Sequence, residues 1–189
     1  MSAVTGADAV SGTEAARACL SKLRELAGAS DTPMERHCLR VYEIAVELGR
    51  RRGLELDLEL LVCAAWLHDA GLYPGAATHD AYVRDGRRLA ERLLAAQAWP
   101  QDRLERLGDA IERHHELRPQ FARGAEVELM RRADLVDVSQ GLISFGLDRE
   151  WLRALSRRVP RKGMFRDIGR LLAIAARERP MSLPSIFIR

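Results

Sequence analysis

The sequence predicts an all-α protein, a compact bundle of about seven or eight helices joined by short loops. Three observations lead there. Apolar residues recur at three- and four-residue spacing along most of the chain, the period of a helix with one buried face. No stretch of useful length alternates with period two, as a half-buried strand would. Capping residues and Pro stand before the periodic stretches and Gly behind them, which is the punctuation of helix ends.

Residues 1–12 read as a loose tail. A helix follows from Thr13 to Ala27, with Ala16, Cys19, Leu20, Leu23 and Leu26 on one face. Residues 28–33 break it and open the next helix: Thr32 as N-cap, Pro33 at the first helical position and Glu35 at the third form a capping-box pattern. That helix runs to about Arg52, and Gly53 suits a left-handed stop. His37, Val41, Ile44, Ala45 and Leu48 share its inner face.

Asp57 caps a helix that is apolar nearly all round from Leu58 to Leu67, so it belongs in the middle of the core. It ends in His68-Asp69-Ala70-Gly71, with Gly71 as the stop. Further helices are expected over Asp80–Ala98, over Asp102–His115 with Leu104, Leu107, Ile111 and His114 on one stripe, and from Ala125 with Val127, Met130, Asp134 and Val138 in phase. Two more fit Asp148–Arg158 and Met164–Arg177. Phe145, Leu147, Trp151, Leu152 and Leu155 are expected to pack on the core. The end, from Pro180, is apolar and punctuated by Pro, hence extended. The chain divides into residues 1–30 (tail and helix), 31–140 (the core that carries the His and Asp residues) and 141–189 (helices and apolar tail).

Composition excludes several function classes. With 30 basic residues set against 27 acidic ones the net charge is only +3, and no long basic run appears, so the chain is not a nucleic-acid platform. Gly49-Arg50-Arg51-Arg52, and Arg157-Arg158 with Arg161-Lys162, read as solvated helix ends. No apolar stretch approaches a membrane span. The start has no basic, apolar leader, and Cys19, Cys38 and Cys63 are odd in number with no CxxC pair. This predicts buried thiols and a reducing, cytoplasmic setting. Ile186-Phe187-Ile188 suits docking on the chain's own body or a homodimer contact equally.

The chemistry lies in five histidines and two aspartates. His37, His68 and His114 fall on or at the end of apolar stripes, Asp69 follows His68, and Asp134 sits on an apolar stripe of its own. Taken singly, His37 suits a hydrogen-bonded core histidine, Asp134 a partner of Arg131, His79 a loop residue, and His114-His115 a helix C-terminus. Together they demand a shared partner, because an ionised carboxylate is costly to bury alone. A divalent cation satisfies imidazole nitrogen and carboxylate oxygen at once. His68 and Asp69 diverge by about 100° around a helix axis, so both reach one ion only near the end of their helix.

The series His37, His68-Asp69, Asp134, with Ala64-Ala65-Trp66-Leu67 before the doublet, resembles the HD-domain metal-dependent phosphohydrolase superfamily. His37-Cys-Leu-Arg-Val41, Ile111-Glu-Arg-His114-His115-Glu116 and Arg132-Ala133-Asp134-Leu135-Val136-Asp137 match its other elements, over about residues 33–140. The resemblance implies that His37, His68, Asp69 and Asp134 ligate one divalent ion, with Mn, Fe, Co, Ni or Mg suited to the mixed N/O set. His79, His114 and His115 fall where dinuclear members hold a second ion, and His114 points inward. It further implies hydrolysis of a small phosphorylated substrate, a nucleotide among the candidates, by metal-activated water. Asp69 would then be the base, His114 or His115 would protonate the leaving group or bind a phosphate oxygen, and Arg84, Arg87 and Arg88 are candidates for phosphate contact, with plain solvent exposure as their alternative reading. Nucleotidase-like members carry a Glu three residues after the doublet Asp, where this chain has Leu72. Tyr82-Val83-Arg84-Asp85-Gly86 resembles nitrile-hydrating members over a stretch too short to carry a substrate. Two other readings are a dinuclear-iron oxygenase on the same scaffold and a non-catalytic, metal-binding regulatory domain. GxSxG, GKS or GKT loops and HExxH are absent from the sequence.

Overall fold

The structure, a computed structural model, describes residues 6–78 and 80–178. Among them are nine α-helices and no strand, as the periodicity predicts: α1 Gly6–Val10, α2 Glu14–Ala27, α3 Pro33–Arg50, α4 Leu58–Leu67, α5 Tyr82–Ala95, α6 Gln101–Glu112, α7 Ala125–Val138, α8 Arg149–Arg158 and α9 Met164–Glu178. Short 3-10 turns cover Ala70–Leu72, Pro74–Ala76 and Phe121–Arg123. None of these helices is long and apolar enough to cross a membrane.

Thr32 and Asp57 cap their helices as the sequence predicts, and Thr13, expected as the first residue of its helix, is a cap as well. The hydroxyl of Thr13 accepts from the Ala16 amide at 3.2 Å, that of Thr32 from Glu35 at 3.1 Å, and Asp57 from Leu60 at 3.0 Å. Each satisfies an amide that the first helical turn leaves without a partner. Glu35 departs from the simple capping box: its carboxylate accepts from the Asp31 amide and pairs with Arg24.

Helix α4 forms the axis of the bundle. It packs against α2, α3, α5, α6 and α7, and every residue from Leu60 to Leu67 is buried. A fully buried Leu contributes roughly 1.5–3 kcal/mol relative to exposure, so a ten-residue helix apolar nearly all round anchors everything around it. Only its first residue, Leu58, faces outward. The indole of Trp66 donates to the Ser11 hydroxyl at 3.2 Å. That bond ties the chain's beginning to the core: residues 6–10, expected in a loose tail, form α1 with Ala7 buried.

Gly71 has a different role from the one its sequence position suggests. Helix α4 ends at Leu67, and Gly71 is not among the left-handed glycines that stop helices, unlike Gly53 at φ +61°. It is a close-packing position instead. A Cβ there would lie 1.9 Å from the Tyr82 carbonyl oxygen and 2.8 Å from the Gly86 amide nitrogen. The turn carrying the His68-Asp69 doublet is therefore pressed directly onto the backbone of α5, which fixes where the two side chains point.

Other boundaries shift modestly. Helix α6 ends at Glu112, so His114 and His115 stand in the turn beyond it. Val138 is largely exposed, against its expected place on the inner stripe. Leu147, Leu152 and Leu155 are buried, while Phe145 and Trp151 pack against the core from its edge. The three cysteines are free and buried. The segment from Pro180, with Ile186-Phe187-Ile188, and His79 lie outside the described residues.

Candidate metal centre

Four elements deliver the titratable groups to one buried point. Helix α3 brings His37, the end of α4 brings His68 and Asp69, the turn after α6 brings His114 and His115, and α7 brings Asp134. His37 Nε2 lies 3.2 Å from His68 Nε2, 3.3 Å from Asp134 Oδ1 and 3.8 Å from Asp69 Oδ2. His68 Nε2 lies 3.5 Å from Asp69 Oδ2 and 3.9 Å from Asp134 Oδ1. The helix-axis divergence of His68 and Asp69 is resolved as expected: α4 has just ended, and both reach the same space.

The set extends past these four ligand candidates. His114 Nε2 lies 3.6 Å from Asp69 Oδ1, and His115 Nδ1 lies 3.5 Å from Asp134 Oδ2. Three overlapping donor clusters result, namely His37/His68/Asp134, His68/Asp69/His114 and His114/His115/Asp134, each compact enough to hold a metal ion. His115, with about a third of its side chain exposed, opens the site to solvent, whereas the other imidazoles are buried.

The ring orientations favour metal ligation. His68 Nδ1 bonds the Ala65 carbonyl at 2.9 Å and His114 Nδ1 the Ile111 carbonyl at 2.5 Å. A carbonyl oxygen only accepts, so both Nδ1 atoms carry hydrogen, and each ring in its neutral form presents the Nε2 lone pair to the centre. His37 Nδ1 meets Asp137 Oδ2 at 2.8 Å. The 3.2 Å approach of His37 Nε2 to His68 Nε2 then needs a positive charge between or beside them. His114 Nε2 is buried with no hydrogen-bond partner, an orphan that a cation would satisfy. The residues fit a divalent ion.

Titration in the metal-free protein tells the same story. Burial opposes a charge on His37, but Asp134 and Asp137 override it and raise the imidazole to about 10. His68 is lowered by burial and by the neighbouring His114 and His37, so it stays neutral. Burial and His114 push His115 down to about 4. Burial alone would raise Asp69 and Asp134; the surrounding imidazoles hold both below their usual range instead. A proton on His37 thus occupies the place of the cation. Because that folded-state pKa lies above the free value, the protonated form stabilises the metal-free fold fully below about pH 6.5. The contribution is lost as pH rises through about 10. Metal binding must expel this proton. We expect about one proton released per ion and an affinity that rises close to tenfold per pH unit between pH 6 and 8. Calorimetry in buffers of different ionisation heat checks this; release of none would contradict it.

A second layer, absent from the sequence-based site, fixes His37. Asp137 takes a bidentate pair from Arg40, with Nε and Nη2 each at 2.8 Å, and a further contact from Arg161 Nε at 3.0 Å. Arg40 is fully buried and also donates to the Val159 and Pro160 carbonyls. The available signal was spacing: Arg40 stands three residues after His37 and Asp137 three after Asp134, on the same faces of their helices. Tyr82, also unforeseen as a site residue, is buried with its hydroxyl 2.5 Å from His115 Nε2.

Arg131, the sequence-based alternative partner of Asp134, pairs with Glu128 at 2.8 Å instead. Arg84 lies against Asp80 at 3.1 Å and Glu112 at 3.5 Å. Arg87 is engaged by Glu91, Asp109 and Glu112, and Arg88 by Asp80 and Asp85.

Fold and site together define an all-α protein with a buried His/Asp centre fitted for divalent metal. Residues 34–139 match the HD domain family, more than half of the chain, and the chain belongs to that family. No curated protein matches it.

Proposed function

We propose that the protein is a metal-dependent phosphohydrolase acting on a small phosphorylated substrate. The carrying observation is the convergence of His37, His68, Asp69 and Asp134 on one buried point, with His114 buried beside it and His115 at its solvent-facing edge. Those four residues would hold the ion. When bound, it supplies a Lewis acid that lowers the pKa of a water and polarises a phosphoryl oxygen.

The chain's own groups do the rest. Asp69 is ionised and lies between His68 and His114, where it can take the proton of an attacking water. Asp69 raises His114 against the effect of burial, so this ring is placed to give a proton to the leaving oxygen. His115 is neutral near pH 7 and stands at the open edge. The Tyr82 hydroxyl donates to its Nε2 or accepts from it, so His115 can present either tautomer to a phosphate oxygen. For Arg84 to reach substrate, its guanidinium must exchange Asp80 or Glu112 for phosphate.

One observation favours a second reading. His114 and His115 form a further donor set with Asp134, which the first set shares, suited to a second ion and hence to a dinuclear-iron oxygenase. Metal analysis of the purified chain, followed by a phosphoester screen with Mn or Ni added, separates these. The phosphohydrolase reading expects tightly held divalent metal and turnover that a chelator abolishes. Two irons per chain without phosphoester turnover favour the oxygenase. Metal bound with no turnover of either kind favours a regulatory domain.

A further inference from the structure

Most arginines of this protein lie against carboxylates: Arg24 on Glu35, Arg87 on Glu91, Arg103 on Asp57, Arg131 on Glu128. Helix α8 departs from that habit. Arg149, Arg153 and Arg157 stand four residues apart on one face, and with Arg161 they line a groove of about 470 Å³ between α8 and the turn at Gln140–Leu142. No carboxylate lines it. Among the described residues none of the first three makes an ion pair with a carboxylate. Asp148 interacts electrostatically with Arg153, but its side chain caps α8 by accepting from the Glu150 and Trp151 amides.

The arrangement is unfavourable without a ligand. Like charges four apart on a helix repel, and Arg149 sits in the first turn, where the helix dipole disfavours a cation. Arg157 suits the C-terminal end and Arg158 turns away to Glu43, so the solvated-end reading of this run covers those two and not Arg149 or Arg153. Arg161 is held at the groove's inner end by Asp137 and Ser156, which presents its guanidinium in a fixed orientation.

We propose that this groove is a binding site for a small multivalent phosphate anion, of the pyrophosphate or nucleotide-polyphosphate class. Guanidinium forks match phosphate oxygens two at a time. Successive arginines at four-residue spacing are about 6 Å apart along the axis, so adjacent forks can grip linked phosphates, and the groove volume lies in the range of small-molecule sites. The site is separate from the metal centre and does not depend on the activity proposed for it. They share one element: Asp137 contacts both Arg161 and His37, so an anion drawing on Arg161 competes with the acceptor that orients a metal ligand.

The test is calorimetric titration of the full chain with inorganic pyrophosphate, with no divalent metal added and ionic strength matched by sodium chloride. Saturable one-to-one binding is expected, weakened at least tenfold in Arg153→Gln/Arg157→Gln and unchanged in Asp69→Asn. Both arginines are exposed, so the double variant should keep the wild-type melting temperature. The proposal is overturned by the absence of saturable binding, by wild-type affinity in the double variant, or by binding that Asp69→Asn alone removes. A single-stranded oligonucleotide that binds more tightly than pyrophosphate, with the same arginine dependence, would also overturn it by assigning the groove to nucleic acid.

Discussion

Asp69→Ala is expected to abolish metal retention and to reduce any hydrolysis by roughly a thousandfold or more, equivalent to about 4 kcal/mol of transition-state stabilisation, while the fold persists. The position explains both halves. Asp69 places one oxygen 3.5 Å from His68 Nε2 and the other 3.6 Å from His114 Nε2, so it joins the two imidazoles of its donor cluster. Removing it takes away an anionic ligand candidate, the proposed base and the acceptor facing His114 together. Yet the side chain contributes no apolar packing, and the neighbouring Leu67, Ala70 and Leu72 remain buried around the turn. Asp69→Asn keeps the volume and removes only the charge, so it separates ligand chemistry from packing. Elemental analysis after gel filtration and a thermal melt are the readouts. Metal content equal to wild type in Asp69→Ala would remove the doublet from the site.

Much of this architecture is legible in the sequence because its determinants are local. Thr32-Pro33 starts a helix, a ten-residue stretch behind Asp57 that is apolar nearly all round has to be central, and acids in apolar stripes have to meet a partner. What is not legible depends on groups distant in sequence. Helix α1 is too short to nucleate alone; its neighbour Ser11 receives the Trp66 indole, 55 residues away. Gly71 looks like a helix stop until Tyr82 and Gly86 are seen against it. Arg40 reads as an ordinary polar position on α3, and only Asp137, 97 residues later, shows why it is buried. The ligand candidates themselves were visible because a buried charge is conspicuous in an apolar pattern. Their supporting layer was not, because an Arg and an Asp that neutralise each other leave no unbalanced signal in either segment.

Asp137 is where that hidden layer has its greatest expected effect. Its side chain is fully buried, and it accepts from His37 Nδ1 while taking the bidentate fork of Arg40. Asp137→Ala leaves the Arg40 guanidinium buried without its counter-ion, which typically costs about 3–5 kcal/mol. It also frees His37 to rotate, and loss of such an outer partner typically weakens a metal site by about 10- to 100-fold. Arg161, partly exposed, can turn to water and should add little to the loss. The two effects are separable. In Arg40→Met/Asp137→Leu the buried pair becomes apolar at similar volume, so most of the stability should return in urea denaturation. His37 still lacks its acceptor there, so the metal affinity should stay low. If the double variant regained metal affinity along with stability, Asp137 would act on the fold alone and not on the orientation of His37. If Asp137→Ala bound metal like wild type, the Nδ1 contact would have no part in preparing the ligand.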